Sequence, residues 1–353
     1  MGQTREKVIK VDKLQAGMRL SQDIENKYGA VMIPAGTILT ERKINRLQDL
    51  AYQQVKVVRE SQEEIEANIE GFSRLERSYR EDVKKAASLY KQIKFQGKID
   101  EDILIPLARD AMNLGSEMEI NDLLSMVQGV DEYTYTHLLN VGILSNMMGK
   151  WLGFEGEKLL NLTKSGILHD VGKSKIPEEI LNKPDSLEPE EYEIMKRHSY
   201  YGYEILHKTD FIKQDTALGV LTHHEYYNGR GYPLQLQGED IPIFGRIIAI
   251  VDAFDAITSE RVYQQKSNPF VAMEKIQKEN FGYCDPGLKK MFLAKIPNFF
   301  VREKVKLSNG KIGRVVYVNN TNPSSPIVKI GEEYLNLSEE NNITVEEVLG
   351  SAN

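Results

Sequence analysis

The sequence predicts a mainly α protein, with an all-helical core flanked by small β-containing units at its N- and C-terminal ends. Three observations carry this. Between about residues 59 and 295, apolar side chains recur at three- and four-residue spacing among strong helix formers. At both ends that spacing gives way to short alternating runs punctuated by glycine, proline and asparagine. A chain of 353 residues, 41% hydrophobic and 27% charged, suffices for two or three globular domains and has nothing disordered or fibrous in its composition.

Residues 1–58 read as a small mixed α/β domain. Val8–Val11 and Ala30–Ile33 are β-like, with turn signals at Ala16-Gly17 and Pro34-Ala35-Gly36. Thr40 is placed to cap a helix starting at Glu41, and Gln54–Val58 reads as a closing strand. A unit this small is expected to dock or sense rather than catalyse. From Glu60 the composition shifts to charged helix formers, with Ile65, Ile69, Phe72, Leu75 and Tyr79 on one stripe. Residues 59–115 therefore read as a helical connector. It either packs on a neighbouring helix or forms a coiled-coil dimer seam, for which the heptads are imperfect. Residues 116–295 read as nearly all helix, a domain of their own. Residues 296–353 form a small β-rich unit, with runs at Lys304–Leu307, Gly313–Val318 and Ile327–Ile330 around turn signals at Asn309-Gly310 and Pro323.

Composition narrows the function. The only cysteine, Cys284, can form neither an intrachain disulfide nor a cysteine-built zinc site, which suits a reducing compartment. The first residues are polar and charged, unlike a secretory signal, and the best apolar run, Ile247–Val251, is far shorter than the roughly 20 residues of a membrane span. The expectation is a cytoplasmic protein with no membrane contact. A formal net charge of −7 argues against DNA or RNA polymers as partners.

Five of the six histidines, His137, His169, His198, His223 and His224, fall in one stretch, closed downstream by Asp252. On its helix His137 shares a face with Val141, Leu144 and Met148, and taken alone reads as a satisfied core histidine. The stripe Leu159, Leu162, Gly166 leads to His169-Asp170, with Gly172 available to end the helix. Met195, His198, Gly202 and Ile205 share the next face. The apolar helix Ala217–Leu221 ends in His223-His224-Glu225 and opens a loop through Gly231-Tyr232-Pro233, which by itself reads as a plain turn. Asp252 sits in an apolar helix, where a cation is the economical partner for a carboxylate; a salt bridge to Arg246 or Arg261 is the alternative. His207 follows its stripe and reads as surface.

Taken together, five histidines and two aspartates on inward faces point to metal. Imidazole and carboxylate donors without thiolate favour iron or manganese and admit zinc, nickel or cobalt; the ligand count suits two divalent ions, with Asp170 as the candidate bridge. Two such ions among neutral imidazoles and two carboxylates leave about +2 locally, before Lys173 and Arg261 are counted, so an anion could settle there. They would lower the pKa of a shared water from 15.7 to about 7 and stabilise charge on phosphoryl oxygens, which is the chemistry of phosphoester hydrolysis.

With His169-Asp170-Val171-Gly172-Lys173, His223-His224-Glu225 and Gly231-Tyr232-Pro233 in that order, the chain resembles the HD-GYP family of bacterial cyclic di-GMP phosphodiesterases over about residues 125–295. The resemblance implies an HD-type phosphohydrolase core in which His137, His169, Asp170, His198, His223, His224 and Asp252 bind metal. It implies that Lys173, Arg261 and Tyr263 contact the substrate phosphates, with Asp170 and Lys173 serving catalysis. The loop Gly231, Tyr232, Pro233 would lie beside the site or face a partner such as a diguanylate cyclase, and a homodimer is compatible. The implied reaction opens cyclic di-GMP to pGpG through a metal-activated hydroxide, with GMP after a second cut. Another cyclic dinucleotide such as 3′,3′-cyclic GMP-AMP, or a non-catalytic cyclic-dinucleotide sensor, are the alternatives. Two positions depart from the family pattern: Asn228 stands where an aspartate is common, and Tyr133 where members with three metals carry a glutamate, with Asp131 and Glu132 close by. A binuclear centre is expected, and a third metal is not.

Overall fold

The computed structural model describes residues 6–22, 24–25, 31–33, 39, 44, 47, 52–118, 120–126, 133–259, 268–278, 282–296, 300, 303–319, 322–331, 333–340 and 342–351. They divide into two compact units, one of residues 1–77 with 296–353 and the other of residues 78–295. The division falls inside the long helix α1 (Gln62–Gln96), which belongs to both. Among the described residues no helix is long and apolar enough to cross a membrane.

In the first unit, β1 (Glu6–Lys10) pairs antiparallel with β4 (Gln54–Val58), and the short β2 (Ile24–Glu25) pairs with β3 (Val31–Ile33). Leu20, Leu39, Leu47, Val55 and Val57 bury against one another beneath them. The cap read at Thr40-Glu41 lies outside the described residues. The C-terminal part is a five-stranded sheet in the order β8-β7-β6-β5-β9, formed by β5 (Glu303–Leu307), β6 (Ile312–Asn319), β7 (Asn322–Ile330), β8 (Glu333–Asn336) and β9 (Val345–Ser351). The β5–β6 hairpin turns at Asn309-Gly310, where Gly310 takes a φ of 80°. Pro323 does not mark a turn: it lies within β7. It falls in the stretch where the β6–β7 register shifts and before β8 begins to pair at Ile327, so its missing N–H interrupts no regular ladder.

The second unit is helical. After α1 come α2 (Glu101–Glu117), α3 (Ile120–Met126), α4 (Tyr133–Trp151), α5 (Gly156–Leu168), α6 (Glu178–Leu181), α7 (Pro189–His207), α8 (Gln214–Thr222), α9 (Ile243–Thr258), α10 (Pro269–Lys278) and α11 (Pro286–Lys295). The Asp100 side chain caps α2, and Glu188 with Glu191 forms a capping box on α7 behind Pro189 at its first turn. Helices α4 and α5 pack backbone to backbone, since a Cβ on Gly142 would lie 2.5 Å from Ile167 and one on Gly166 would lie 2.8 Å from the Val141 carbonyl. Leu139, Ile143, Leu162, Val220, Phe244, Ile247 and Phe254 fill the core. The buried inward faces of α4, α5, α7, α8 and α9 bring His137, His169, His198, His223 and Asp252 towards one centre.

Candidate metal centre

Seven side chains, from helices α4, α7 and α9 and from the turns that end α5 and α8, meet at that centre. Asp170, His198, His223 and His224 offer donor atoms within 4.8 Å of one another, as do His137, His169 and Asp252. The helix read as ending at Gly172 ends at Leu168 instead. His169 is its cap and Asp170 turns out of the helical conformation at φ −100°, ψ 6°, so two adjacent residues both face the site. Gly172 lies in a tight turn, Val171–Lys175, pressed against α7: a Cβ there would sit 1.8 Å from the His198 carbonyl oxygen. The missing side chain is what allows the Asp170 turn to reach His198.

Three of the histidines are held in the same manner. Nδ1–H donates to the carbonyl three residues earlier, His169 to Gly166 at 2.8 Å, His198 to Met195 at 2.7 Å and His223 to Val220 at 2.7 Å. A carbonyl can only accept, so each ring carries its proton on Nδ1 and presents the bare Nε2. The His169 Nε2 is buried without a hydrogen-bond partner, and the Nε2 atoms of His198 and His223 stand 3.3 Å apart. Lone pairs facing each other at that distance repel unless a cation lies between their donors. Burial keeps His198, His223 and His224 neutral, pushing His198 down to about 4 and His224 to about 3, and His223 well below its usual range.

The carboxylates complete the set. Asp170 Oδ1 lies 3.4 Å from His198 Nε2, and its Oδ2 lies 3.4 Å from His169 Nε2 and 3.8 Å from His137 Nε2, so each oxygen faces a different group of histidines. Lys173 Nζ sits 2.5 Å from Oδ2. Burial alone would raise the Asp170 carboxyl, but the Lys173 ammonium beside it holds it well below the usual range. Asp252 keeps 17% side-chain exposure and meets His137 Nε2 at 3.1 Å. Its alternative partner Arg246 is engaged elsewhere, with Asp285 at 2.8 Å. His137 has a carboxylate at each nitrogen. Burial would lower its pKa, yet the hydrogen bonds to Asp252 and Asp255 raise it to about 10, marking Nε2 as a position for positive charge. The donor set and its orphaned nitrogens fit divalent metal.

The Gly231-Tyr232-Pro233 loop is a wall of this centre. Gly231 lies against the backbone of the histidine pair's own turn; a Cβ there would come within 2.2 Å of Tyr226 N and 2.5 Å of the His224 carbonyl oxygen. Tyr232 N–H donates to that carbonyl at 3.1 Å, and its ring packs on His224 with centroids 4.8 Å apart. Asn228, at the variant position, accepts from Arg230 N at 3.0 Å. His207 is exposed and stacks on Tyr203. Arg261 and Tyr263 lie outside the described residues, as do Asp131, Glu132 and the Tyr133 side chain.

Two supports had no role assigned from the sequence. Buried Asp255, three residues after Asp252, accepts from His137 Nδ1 at 2.7 Å and from Asn140 Nδ2 at 2.8 Å; its spacing on α9 was the available signal. Buried Glu225 accepts from the N–H groups of Leu234 at 2.6 Å and Leu236 at 3.1 Å, fastening the far side of the loop to the histidine pair.

The HD domain family matches residues 108–288. The chain is 34% identical over 215 residues to a cyclic di-GMP phosphodiesterase, PA4108, of Pseudomonas aeruginosa, covering 60% of this chain and 51% of that protein. It is 35% identical over 201 residues to a cyclic di-GMP phosphodiesterase of Thermotoga maritima (56% and 55% covered). It is 34% identical over 190 residues to the 3′3′-cGAMP-specific phosphodiesterase 2 of Vibrio cholerae (54% and 36%). It thus spans about half the length, or less, of these relatives. In fold it resembles Bd1817, a HDG"Y"P protein from Bdellovibrio bacteriovorus, with a TM-score of 0.51 at 17% identity over 81% of this chain and 97% of that one. With the family matched across half the chain and its His-Asp, His-His and Gly-Tyr-Pro motifs gathered around one centre, the chain belongs to the HD domain family, in its HD-GYP branch.

Proposed function

We propose that the protein is a metal-dependent phosphodiesterase that opens cyclic di-GMP to linear pGpG. The observation that carries the reading is the set of Nε2 atoms. His169, His198 and His223 are each locked by an Nδ1–H bond to backbone, and their bare nitrogens converge with both oxygens of Asp170. The ligands are assigned as two groups, His137, His169 and Asp252 for one ion and His198, His223 and His224 for the other, with Asp170 between them. Iron or manganese suits these donors. A bound pair of ions supplies Lewis acidity towards phosphoryl oxygens and lowers the pKa of water.

This chain's own residues do the rest. The backbone anchors fix the direction of three imidazoles, so little reorganisation is needed on loading. Lys173 neutralises Asp170 in its present position and is placed to turn to a substrate phosphate. Tyr232, pinned to His224, closes one side of the centre against water. The choice of cyclic di-GMP rests on the names of the relatives, and one relative's name supports 3′,3′-cyclic GMP-AMP as the second reading. The test is purification without chelator, metal analysis, and assay of both dinucleotides with iron and with manganese under reducing conditions. About two ions per chain and release of pGpG are expected, and both should be lost in His169→Ala and Asp170→Ala. Turnover retained in either variant refutes the assignment, and metal bound without turnover of either dinucleotide favours a sensor.

A further inference from the structure

Helix α1 lies outside the residues matched by the family, which begin at 108, and is joined to the metal centre through two intervening side chains. Its Tyr79 is fully buried, and the phenol lies 2.7 Å from Asn140 Oδ1. Asn140, also fully buried, offers Nδ2 to Asp255 Oδ1 at 2.8 Å, and the other oxygen of Asp255 receives His137 Nδ1–H at 2.7 Å.

The sense of every link is forced. A carboxylate only accepts, so the Asn140 amide must turn its NH2 group to Asp255 and its oxygen to Tyr79. That oxygen also only accepts, so the Tyr79 hydroxyl must donate. Burial pushes this phenol up, keeping the proton in place. At the far end, Asp255 receives the His137 Nδ1 proton and leaves Nε2 towards Asp252, 3.1 Å away, and the centre. The chain runs α1 to α4 to α9 and back to the ligand on α4. Asn140 and His137, three residues apart on α4, are held by the same carboxylate. Tyr90, about three turns further along α1 and so on the same face, is buried and packs on Tyr135, 5.8 Å between centroids, at the start of α4.

We propose that Tyr79 is a positioning residue of the metal centre: through Asn140 and Asp255 it fixes the ring of His137 with Nε2 aimed at the ions. The proposal rests on the cluster being a metal site. It gives the segment that looked like a connector a direct hold on one ligand, and it makes the register of α1 against α4 a determinant of how well that ligand is presented. A tyrosine buried only for packing would need some partner for its hydroxyl, but nothing at the metal would then depend on it.

The test is titration of metal-stripped protein with Mn2+ against a chromophoric chelator, for the full chain and for Tyr79→Phe, Asp255→Asn and the double variant. Removing a partner of a ligating histidine costs about 10–100-fold in metal affinity. Asp255→Asn is expected in that range and Tyr79→Phe near its lower end, about tenfold, with a metal-free melting temperature that shows the unit folded. The double variant should match Asp255→Asn alone, because the hydroxyl has nothing to act through once the carboxylate is gone. Asn140→Ser, which cuts the chain while leaving Tyr79, should weaken Mn2+ binding as Tyr79→Phe does. Unchanged affinity in Tyr79→Phe with only a lower melting temperature overturns the proposal, as does a double variant in which the losses simply add. Failure of the unaltered protein to bind Mn2+, Fe2+ or Zn2+ would instead overturn the metal reading beneath it.

Discussion

Gly231→Ala tests how firmly the Gly-Tyr-Pro loop is built into the metal centre. An added Cβ would lie 2.2 Å from Tyr226 N, 2.5 Å from Glu225 Cα and 2.5 Å from the His224 carbonyl oxygen. All three are backbone atoms of the turn that carries His223 and His224, so no side chain can swing aside. Ordinary contact needs about 1 Å more, which one strand of the loop must supply. Overpacking of this kind costs about 1–3 kcal/mol, and loss of the Tyr232 N–H bond to His224 adds about 0.5–1.5 kcal/mol. A total of about 2–4 kcal/mol lowers the melting temperature of a unit this size by roughly 5–15 °C. Because the moved atoms carry two of the proposed ligands, metal content should fall as well. The assay is calorimetry of the metal-free protein with metal analysis of the loaded one. Gly287→Ala serves as the control, since its Cβ would meet only Asp285 Oδ1, at 3.3 Å. A Gly231→Ala protein that melts within a degree or two of the parent and binds its full metal refutes the close contact.

Glu225→Gln should loosen the same loop from its far side. It turns an NH2 group towards the N–H of Leu234 or Leu236, and amide exchange at those positions should quicken at least tenfold, read by hydrogen exchange; unchanged protection would show the carboxylate is not the clamp. The metal-free protein should be most stable near pH 6.5. Below it, unfolding releases His198, His223 and His224 to take up protons that they refuse when folded, so stability falls as pH drops towards about 4; above it, His137, raised to about 10 when folded, holds a proton that the unfolded chain gives up, so stability falls as pH rises towards about 10. Each proton contributes up to about 1.4 kcal/mol per pH unit. Denaturant titrations across pH 4–10 check this, and a flat profile on the acid side would mean that the three rings are not buried neutral. On the proposed ligand assignment, loaded metal should abolish the alkaline fall, because the ion would take the His137 proton's place.

Much of the candidate site was legible because its metal-ligating residue types come in patterns that helix geometry interprets locally. Inward stripes ending in His169-Asp170, His198 and His223-His224 were enough to suggest one centre before any fold was known, and the helical class followed from the same periodicity. What remained hidden were the contacts made across elements. Asp255 and Glu225 had no role assigned to them from the sequence, since nothing near them says that His137 or the amides of Leu234 and Leu236 will be their donors. Tyr79 read as one more apolar position on a stripe. Pro323 looked like a turn because proline usually interrupts a ladder, and only the shifted β6–β7 register shows how a strand carries it.

The sequence by itself determined which residue types could bind metal, their faces on the helices, and the family to which the motifs point. These properties depend on spacing within single elements, and a period of 3.6 residues fixes them regardless of the neighbours. Tertiary structure alone decided the rest: that α5 ends at Leu168 so that both His169 and Asp170 reach the centre, that the bare nitrogens of His198 and His223 confront one another, and that Gly231 must be glycine because another turn's backbone occupies its side-chain space. Each of these depends on atoms brought together from distant parts of the chain, and only packing sets those distances.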